Sequence, residues 1–298
     1  MMATSSPSSA PPGERARGLR IALVVGAIVA AVELGAGAGG NSLVLLSDGA
    51  HYVVDLVAVA LALAAVGWGA RPADPAHSFG HQRVEVLASL ANAVLLWAMA
   101  AVFLWEALVR FASPVPVDGT LLVVVGAFTF VANLSVALVL RRRATEDLNQ
   151  RAVYLHTLSD GAGSLGAVVA GGLIVGWGWT EADPAATLFV VALMVVFAYR
   201  ISRDALEVLM EGTPAGIVPA DVAASLGALS GVEGVHDLHV WTLAPGTISV
   251  SAHLVVGRAP SDDRLIHAAE RLLAERYHIR HTTIQVEAAD CPCGQLHH

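Results

Sequence analysis

Six stretches of the chain are almost wholly apolar, near residues 19–40, 43–68, 84–111, 119–140, 151–177 and 184–203. Each approaches or exceeds the ~20 residues with which a helix crosses the hydrocarbon core of a bilayer. The joints between them hold turn formers or charge: GGNS, RPADPAHSFGHQR, SPVPVDG, RRRATEDLNQR and GWGWTEADP. Past about residue 205 the pattern shortens to soluble periods. PADVAASLGALSG predicts a short helix, and VHDLHVWTL and TISVSAHLVV predict strands joined by the hairpin signal APG. SDDRLIHAAERLLAERY, with a Ser cap and apolar residues at helical spacing, predicts a second helix, and HTTIQVE a last strand. The predicted fold class is therefore membrane α-helical: a six-transmembrane-helix bundle followed by a small αββαβ domain. That domain is α+β, with its helices on one face of a sheet. The boundaries read as a disordered tail over 1–17, a six-span transmembrane domain over 18–205, the αββαβ domain over 206–290 and a Cys/His tail over 291–298.

Composition agrees. Of 298 residues, 55% are hydrophobic and 14% charged, whereas a soluble domain carries roughly 25% charged residues. There is no Lys, so every fixed cation is Arg. Arg15, Arg17 and Arg20 precede the first span, Arg71 and Arg83 flank the second joint, Arg141, Arg142, Arg143 and Arg151 the fourth, and Arg200 and Arg203 follow the sixth. The first and fifth joints have none. The positive-inside rule then predicts a multi-pass protein with both termini cytoplasmic. The net charge of −8 is unevenly spread, and no nucleic-acid partner is expected. Cys291 and Cys293, in CPCG, suit metal binding better than a strained ring. The Ser/Pro-rich start has no cleavage site and does not read as a secretory signal.

Charge inside the apolar windows is the informative exception. LSDGAHYVVDL, from Leu46, carries Asp48, His51 and Asp55; HTLSDGAGSLG, from His156, repeats LSDGA and the spacing H-x-x-x-D. Residues four apart share one face of a helix, so His51 with Asp55 and His156 with Asp160 form two pairs. The second and fifth spans run in opposite directions. Asp55 and His156 then share one layer, and His51 and Asp160 the other. A charge at the bilayer centre costs at least ~2.5–3.5 kcal/mol. One divalent cation serves all four groups, and four N/O donors close a tetrahedral shell. The plainer reading is a polar packing network with Asn92, Asn133 or Glu33; two matched pairs in antiparallel helices argue against it. Asp48, one turn before His51, reads as shaping the entrance.

NSLVLLSDGAHYVVD and HTLSDGAGS resemble the second and fifth transmembrane helices of the cation diffusion facilitator family, and the resemblance extends over nearly the whole chain past residue 17. It implies a six-span transport domain over 18–205, a metallochaperone-like regulatory and dimerisation domain over 206–290, and a homodimeric, proton-coupled exporter of zinc and related divalent metals, whose transport site is His51, Asp55, His156 and Asp160. The two-His, two-Asp set resembles the zinc-type subgroups. The resemblance also implies a second metal at Asp74, His77 and His81, spaced D-x2-H-x3-H in the second joint. It implies a third on the strands of the last domain, at His236, His253 and Glu287, with Gln285 standing where some members have a ligand. His239 is expected to point away from His236, and His267 to be a surface residue.

The function read from these residues is alternating-access export of Zn²⁺, with Cd²⁺ and Co²⁺ as further substrates, in exchange for protons across a bacterial plasma membrane. Zn²⁺ is cargo and also a regulatory ligand of the last domain. A membrane-bound metal sensor without transport is the alternative. An intramembrane metalloenzyme is disfavoured, because H-E-x-x-H and a nucleophile pair are missing and four ligands leave no open position.

Overall fold

The structure, a computed structural model, describes residues 12–141, 148–244, 246–257 and 263–288. Within these, side chains are described from residue 24 onward, except 139–141, 148–153, 155 and 156. Six long helices come first: α1 Pro12–Gly39, α2 Leu43–Gly69, α3 Val84–Ala112, α4 Gly119–Arg141, α5 Leu148–Trp177 and α6 Ala182–Leu209. α7 Pro219–Gly227, β1 Val232–Ala244, β2 Thr247–Val256, α8 Arg264–Tyr277 and β3 His281–Ala288 follow, in the order αββαβ. The tail expected through residue 17 is already helical from Pro12, a residue pre-organised for the first helical position. The chain folds as two compact units, one of residues up to Leu61 with Ala91–Arg200, the other of Ala62–Leu90 with Ile201 onward.

In the first unit, α2 to α6 each carry an apolar stretch of spanning length, and the described part of α1 adds the shorter Val24–Gly39. Large apolar side chains such as Val102, Trp105, Val124 and Trp177 stand exposed, as lipid-facing surface requires. Small residues close the helix contacts, as is usual in lipid. A Cβ on Gly171 of α5 would come within 2.6 Å of the Gly119 carbonyl oxygen of α4, and one on Gly37 of α1 within 2.9 Å of the Leu46 amide of α2.

Helix α2 is fixed by a carboxylate from α6. Asp183, wholly buried, accepts hydrogen bonds from the Leu43 amide at 2.8 Å, the Val44 amide at 3.3 Å and the Ser42 hydroxyl. These amides are among the four that a helix start leaves without partners, at the positive end of the helix dipole. Arg110 of α3 approaches the same carboxylate at 3.9 Å and donates to the Asn41 carbonyl at 2.6 Å. Asn41 itself turns the chain with φ 55°.

In the second unit the sheet order is β1-β2-β3, β1 antiparallel and β3 parallel to β2. Gly246 takes φ 77° in the β1–β2 connection. Val222 and Leu226 of α7 and Ala269 and Leu273 of α8 pack with Val250, Ala252 and Leu254 of β2 in one core. Asp263 caps α8 by position but makes no side-chain cap bond; the expected Ser261 cap lies outside the described residues. The register jumps from His236↔His253 to His239↔Ser251, so β1 spends one residue more than β2 there. This bulge corrects one expectation: His239, placed opposite a residue two from His253, lies on the same sheet face as His236 rather than the other.

Candidate metal centres

Within the first unit, α2 carries His51 and Asp55 one turn apart, and α5 brings Asp160 to them. His51 Nε2 lies 3.7 Å from Asp55 Oδ2 and 3.8 Å from Asp160 Oδ1. His51 is 6% exposed and Asp160 7%, so the nitrogen and one carboxylate are buried, while Asp55 keeps 27% of its side chain exposed. His156 lies on α5 one turn before Asp160; its side chain is outside those described. A small cavity opens on the group, lined by Asp48, His51 and Asp160 together with Met194 and Phe197 of α6.

Asp48 belongs to this cavity rather than to an exposed mouth, being 2% exposed. The Ser164 hydroxyl of α5 donates to its Oδ2 at 3.4 Å. A Cβ on Gly163 would stand 3.2 Å from its Oδ1, so the second LSDGA-type segment makes room for the acid of the first. Glu33 of α1 is fully buried, its oxygens complete no hydrogen bond among the described residues, and Asp48 and Thr129 adjoin it. Asn133 does not join the acids: its amide donates to the Tyr52 hydroxyl at 2.6 Å.

In the second unit, the 70–83 joint folds on Asp74. Its Oδ1 accepts the Ala76 and His77 amides at 2.9 and 2.8 Å and lies 3.1 Å from His77 Nδ1. His81 Nε2 is 3.4 Å from Asp74 Oδ2, and the two imidazoles are 4.4 Å apart between centroids. The His77 contact holds the Asp74 carboxyl below its ordinary value. His81 Nδ1 is buried without a hydrogen-bond partner among the described residues. The same segment meets the last domain: Arg83 donates to the Leu243 carbonyl at 3.2 Å and pairs with Glu211 at 3.2 Å, and Phe79 packs edge-on against His281.

On the sheet, His236 and His253 face each other from β1 and β2, ring centroids 5.0 Å apart. Glu287 of β3 reaches both, at 3.1 Å from His236 Nε2 and 2.9 Å from His253 Nδ1. Gln285 donates to Glu287 Oε1 at 2.7 Å, so the amide orients the carboxylate. His253 Nδ1 is buried and, with Glu287 Oε1 close but not aligned, completes no hydrogen bond among the described residues. A bare imidazole nitrogen beside a 6%-exposed carboxylate is the donor chemistry that a zinc or similar cation accepts. Both clusters of three, Asp74–His77–His81 and His236–His253–Glu287, bring their ligand atoms within 4.8 Å of one another. His267 is exposed and lies 3.1 Å from Glu270 on its own helix. Cys291, Cys293, His297 and His298 lie outside the described residues.

Residues 19–210 match the family model described as the cation efflux transmembrane domain, and residues 214–289 that of the cation efflux protein, cytoplasmic domain. The chain belongs to the cation efflux family. It is a cation diffusion facilitator and a multi-pass integral membrane protein. Over 284 residues it is 36% identical to the metal cation efflux system protein CzcD of Cupriavidus metallidurans, covering 94% of this chain and 89% of the relative. It is 35% identical over 256 residues to a cadmium, cobalt and zinc/H(+)-K(+) antiporter of Bacillus subtilis (83% of this chain, 81% of the relative). It is 34% identical over 292 residues to the zinc transporter ZitB of Escherichia coli (97% and 93%). Among solved structures it is similar to the metal-bound C-terminal domain of the Cupriavidus metallidurans CzcD transporter. That likeness has 33% identity and a TM-score of 0.23, over 24% of this chain and 99% of that one. These relatives are named as efflux proteins and transporters, not enzymes.

Reading the facilitator's sequence alone missed the burial of Glu33 against Asp48 and the capping of α2 by Asp183. Glu33 is an acid in an apolar window, so its signal was present without a partner at helical spacing; Asp183 lies in the polar fifth joint, where an acid draws no notice.

Proposed function

We propose that this facilitator exports Zn²⁺ from the cytoplasm in exchange for protons, with Cd²⁺ and Co²⁺ as further substrates, by alternating access at His51, Asp55, His156 and Asp160. One observation carries the reading: an imidazole nitrogen sits between carboxylates from two different spanning helices, 3.7 and 3.8 Å away, with the imidazole and Asp160 buried. Tetrahedral zinc bonds of ~2.0–2.1 Å set neighbouring ligand atoms about 3.3 Å apart, so small side-chain adjustments close the shell. Metal binding needs neutral imidazole and ionised carboxylate and therefore releases protons. Protons arriving from the other side compete with the metal for the same donor atoms, displace the cargo and reset the carrier. The names of the relatives support zinc, cadmium and cobalt as cargo and proton exchange as the coupling.

The Arg-rich ends support cytoplasmic termini in a bacterial plasma membrane, with the helical transport domain ending near residue 205 and the sheet domain ending near 290. In this reading the sheet domain dimerises with a second copy. Asp74, His77 and His81, and His236, His253 and Glu287, hold regulatory metal; the bare nitrogens of His81 and His253 fit that role. Such metal would tie strands, or loop and helix start, into one conformation.

The test is metal flux into proteoliposomes of purified protein, across two pH gradients. Zinc movement that depends on the gradient and vanishes in Asp160→Asn is the expected result. A sealed bilayer that passes no metal, with binding intact, would instead identify a sensor.

A further inference from the structure

Asp237 stands beside the cytoplasmic cluster but outside its ligand set, and its backbone is unusual. In a regular strand it would face away from His236, since successive side chains alternate. Instead it sits in the β1 bulge with φ 49°, a left-handed conformation that Asp tolerates better than most residues. Bulges of this kind re-aim side chains. The re-aimed carboxylate spans two imidazoles: Oδ1 lies 3.0 Å from His239 Nε2, and Oδ2 3.5 Å from His253 Nε2.

His253 thus has a different carboxylate at each ring nitrogen. Glu287 is 2.9 Å from Nδ1 and Asp237 is 3.5 Å from Nε2. The Nδ1 side is buried, completes no hydrogen bond among the described residues, and looks toward Glu287 and His236. The Nε2 side looks toward the more exposed acid, 39% exposed at its side chain. A neutral imidazole carries one proton, and the nitrogen that keeps it is set by the acceptor at its other end.

We propose that Asp237 is a positioning residue for the cytoplasmic metal site. Its carboxylate holds the Nε2–H of His253 and so presents the Nδ1 lone pair to a divalent cation shared with His236 and Glu287. This is the carboxylate–histidine–metal arrangement, in which the outer carboxylate fixes tautomer and ring orientation and its loss weakens metal binding about 10–100-fold. His239, brought to the same face by the bulge, anchors the other oxygen of Asp237. The inference rests on the regulatory-metal reading above.

The test uses the full-length chain in detergent, with Asp160→Asn and His77→Ala present to weaken the other two sites. Zinc affinity is measured by chelator competition. The ¹⁵N shifts of His253, assigned by difference from His253→Gln, report which nitrogen holds the proton and which the metal. The parent is expected to show Nε2–H with zinc on Nδ1. Asp237→Gly, which accepts a positive φ without strain, is expected to bind zinc about 10–100-fold more weakly. Asp237→Asn, still an acceptor but uncharged, should fall between. The Co²⁺ absorption spectrum should be unchanged in both, because no ligand is lost. Zinc on Nε2, an Asp237→Gly affinity within twofold of the parent, or a Co²⁺ spectrum showing a lost oxygen ligand would each overturn the proposal. The ¹⁵N readout of tautomer and metal-bound nitrogen does not depend on Asp237→Gly or Asp237→Asn folding. If the parent shows the Nε2–H tautomer but binds no zinc at this site, the regulatory-metal reading fails while the orientation of His253 by Asp237 stands.

Discussion

The intramembrane group and the sheet cluster use the same donors, imidazole and carboxylate, at different spacings. In the first, His51 Nε2 stands 3.7 and 3.8 Å from its two carboxylates. In the second, Glu287 lies 2.9 and 3.1 Å from its two histidines. Around a tetrahedral zinc the ligand atoms sit about 3.3 Å apart. The membrane group must close slightly on its ion, whereas the sheet group must open. A site that closes on cargo and relaxes without it suits a carrier. A site already drawn together on rigid strands suits a cation that stays and holds the fold. The helices supply one or two donors each and can move past one another; the sheet supplies donors through ladder hydrogen bonds that fix their separation.

That contrast can be broken most decisively at the membrane group. Asp55→Asn or Asp160→Asn should lower gradient-driven zinc flux in proteoliposomes by at least about 100-fold, with insertion unchanged by detergent extraction and gel filtration. Next in size, His253→Ala or Glu287→Ala should remove metal from the sheet site, seen as lost stoichiometry in equilibrium binding, while flux falls only several-fold. Equal losses of flux at both sites would erase the distinction between cargo and regulator. Asp183→Asn tests whether the α2 cap sets the membrane site. Hydrogen bonds to a buried charge are worth about 1.5–3 kcal/mol, so thermal unfolding in detergent should occur at lower temperature, and zinc affinity at His51 should drop along with it.

The smallest effect concerns the joint. His77 holds the Asp74 carboxyl below its ordinary value, so Asp74 stays ionised as pH falls from neutrality. Its stabilising contact is present above the unfolded carboxyl pKa and is lost only as pH falls through the lower, folded value. Metal binding needs neutral imidazole as well as ionised carboxylate, so release above the ordinary carboxylate range must come from groups other than Asp74. Titrating metal binding in Asp160→Asn/His253→Ala, which leaves the joint intact, should show release above that range. Release only well below pH 5 would assign it to the carboxylate instead.

Much of this was legible along the chain because it is local. Apolar runs of spanning length became α2 to α6, and alternating strands with a helical interlude became αββαβ. His51 and Asp55 share a helix face because they are four apart, whatever else the fold does. D-x2-H-x3-H closes on itself within eight residues by an Asp74 turn. Other features were illegible because their cause lies across the chain. The Asp183 cap reaches α2 from 141 residues away. Expecting His239 on the far face assumed an unbroken period of two, and a single extra residue in β1 reversed it.

The sequence by itself determined the segments, their lengths and which donors each segment holds, since hydrophobic period and i,i+4 spacing act within one element. Only the tertiary structure decided the capping of α2 by Asp183, the burial of Glu33 beside Asp48, and the turn of Asp237 toward His253. Each of these is a contact between elements, fixed by how helices pack and how strands register, and no local spacing encodes it.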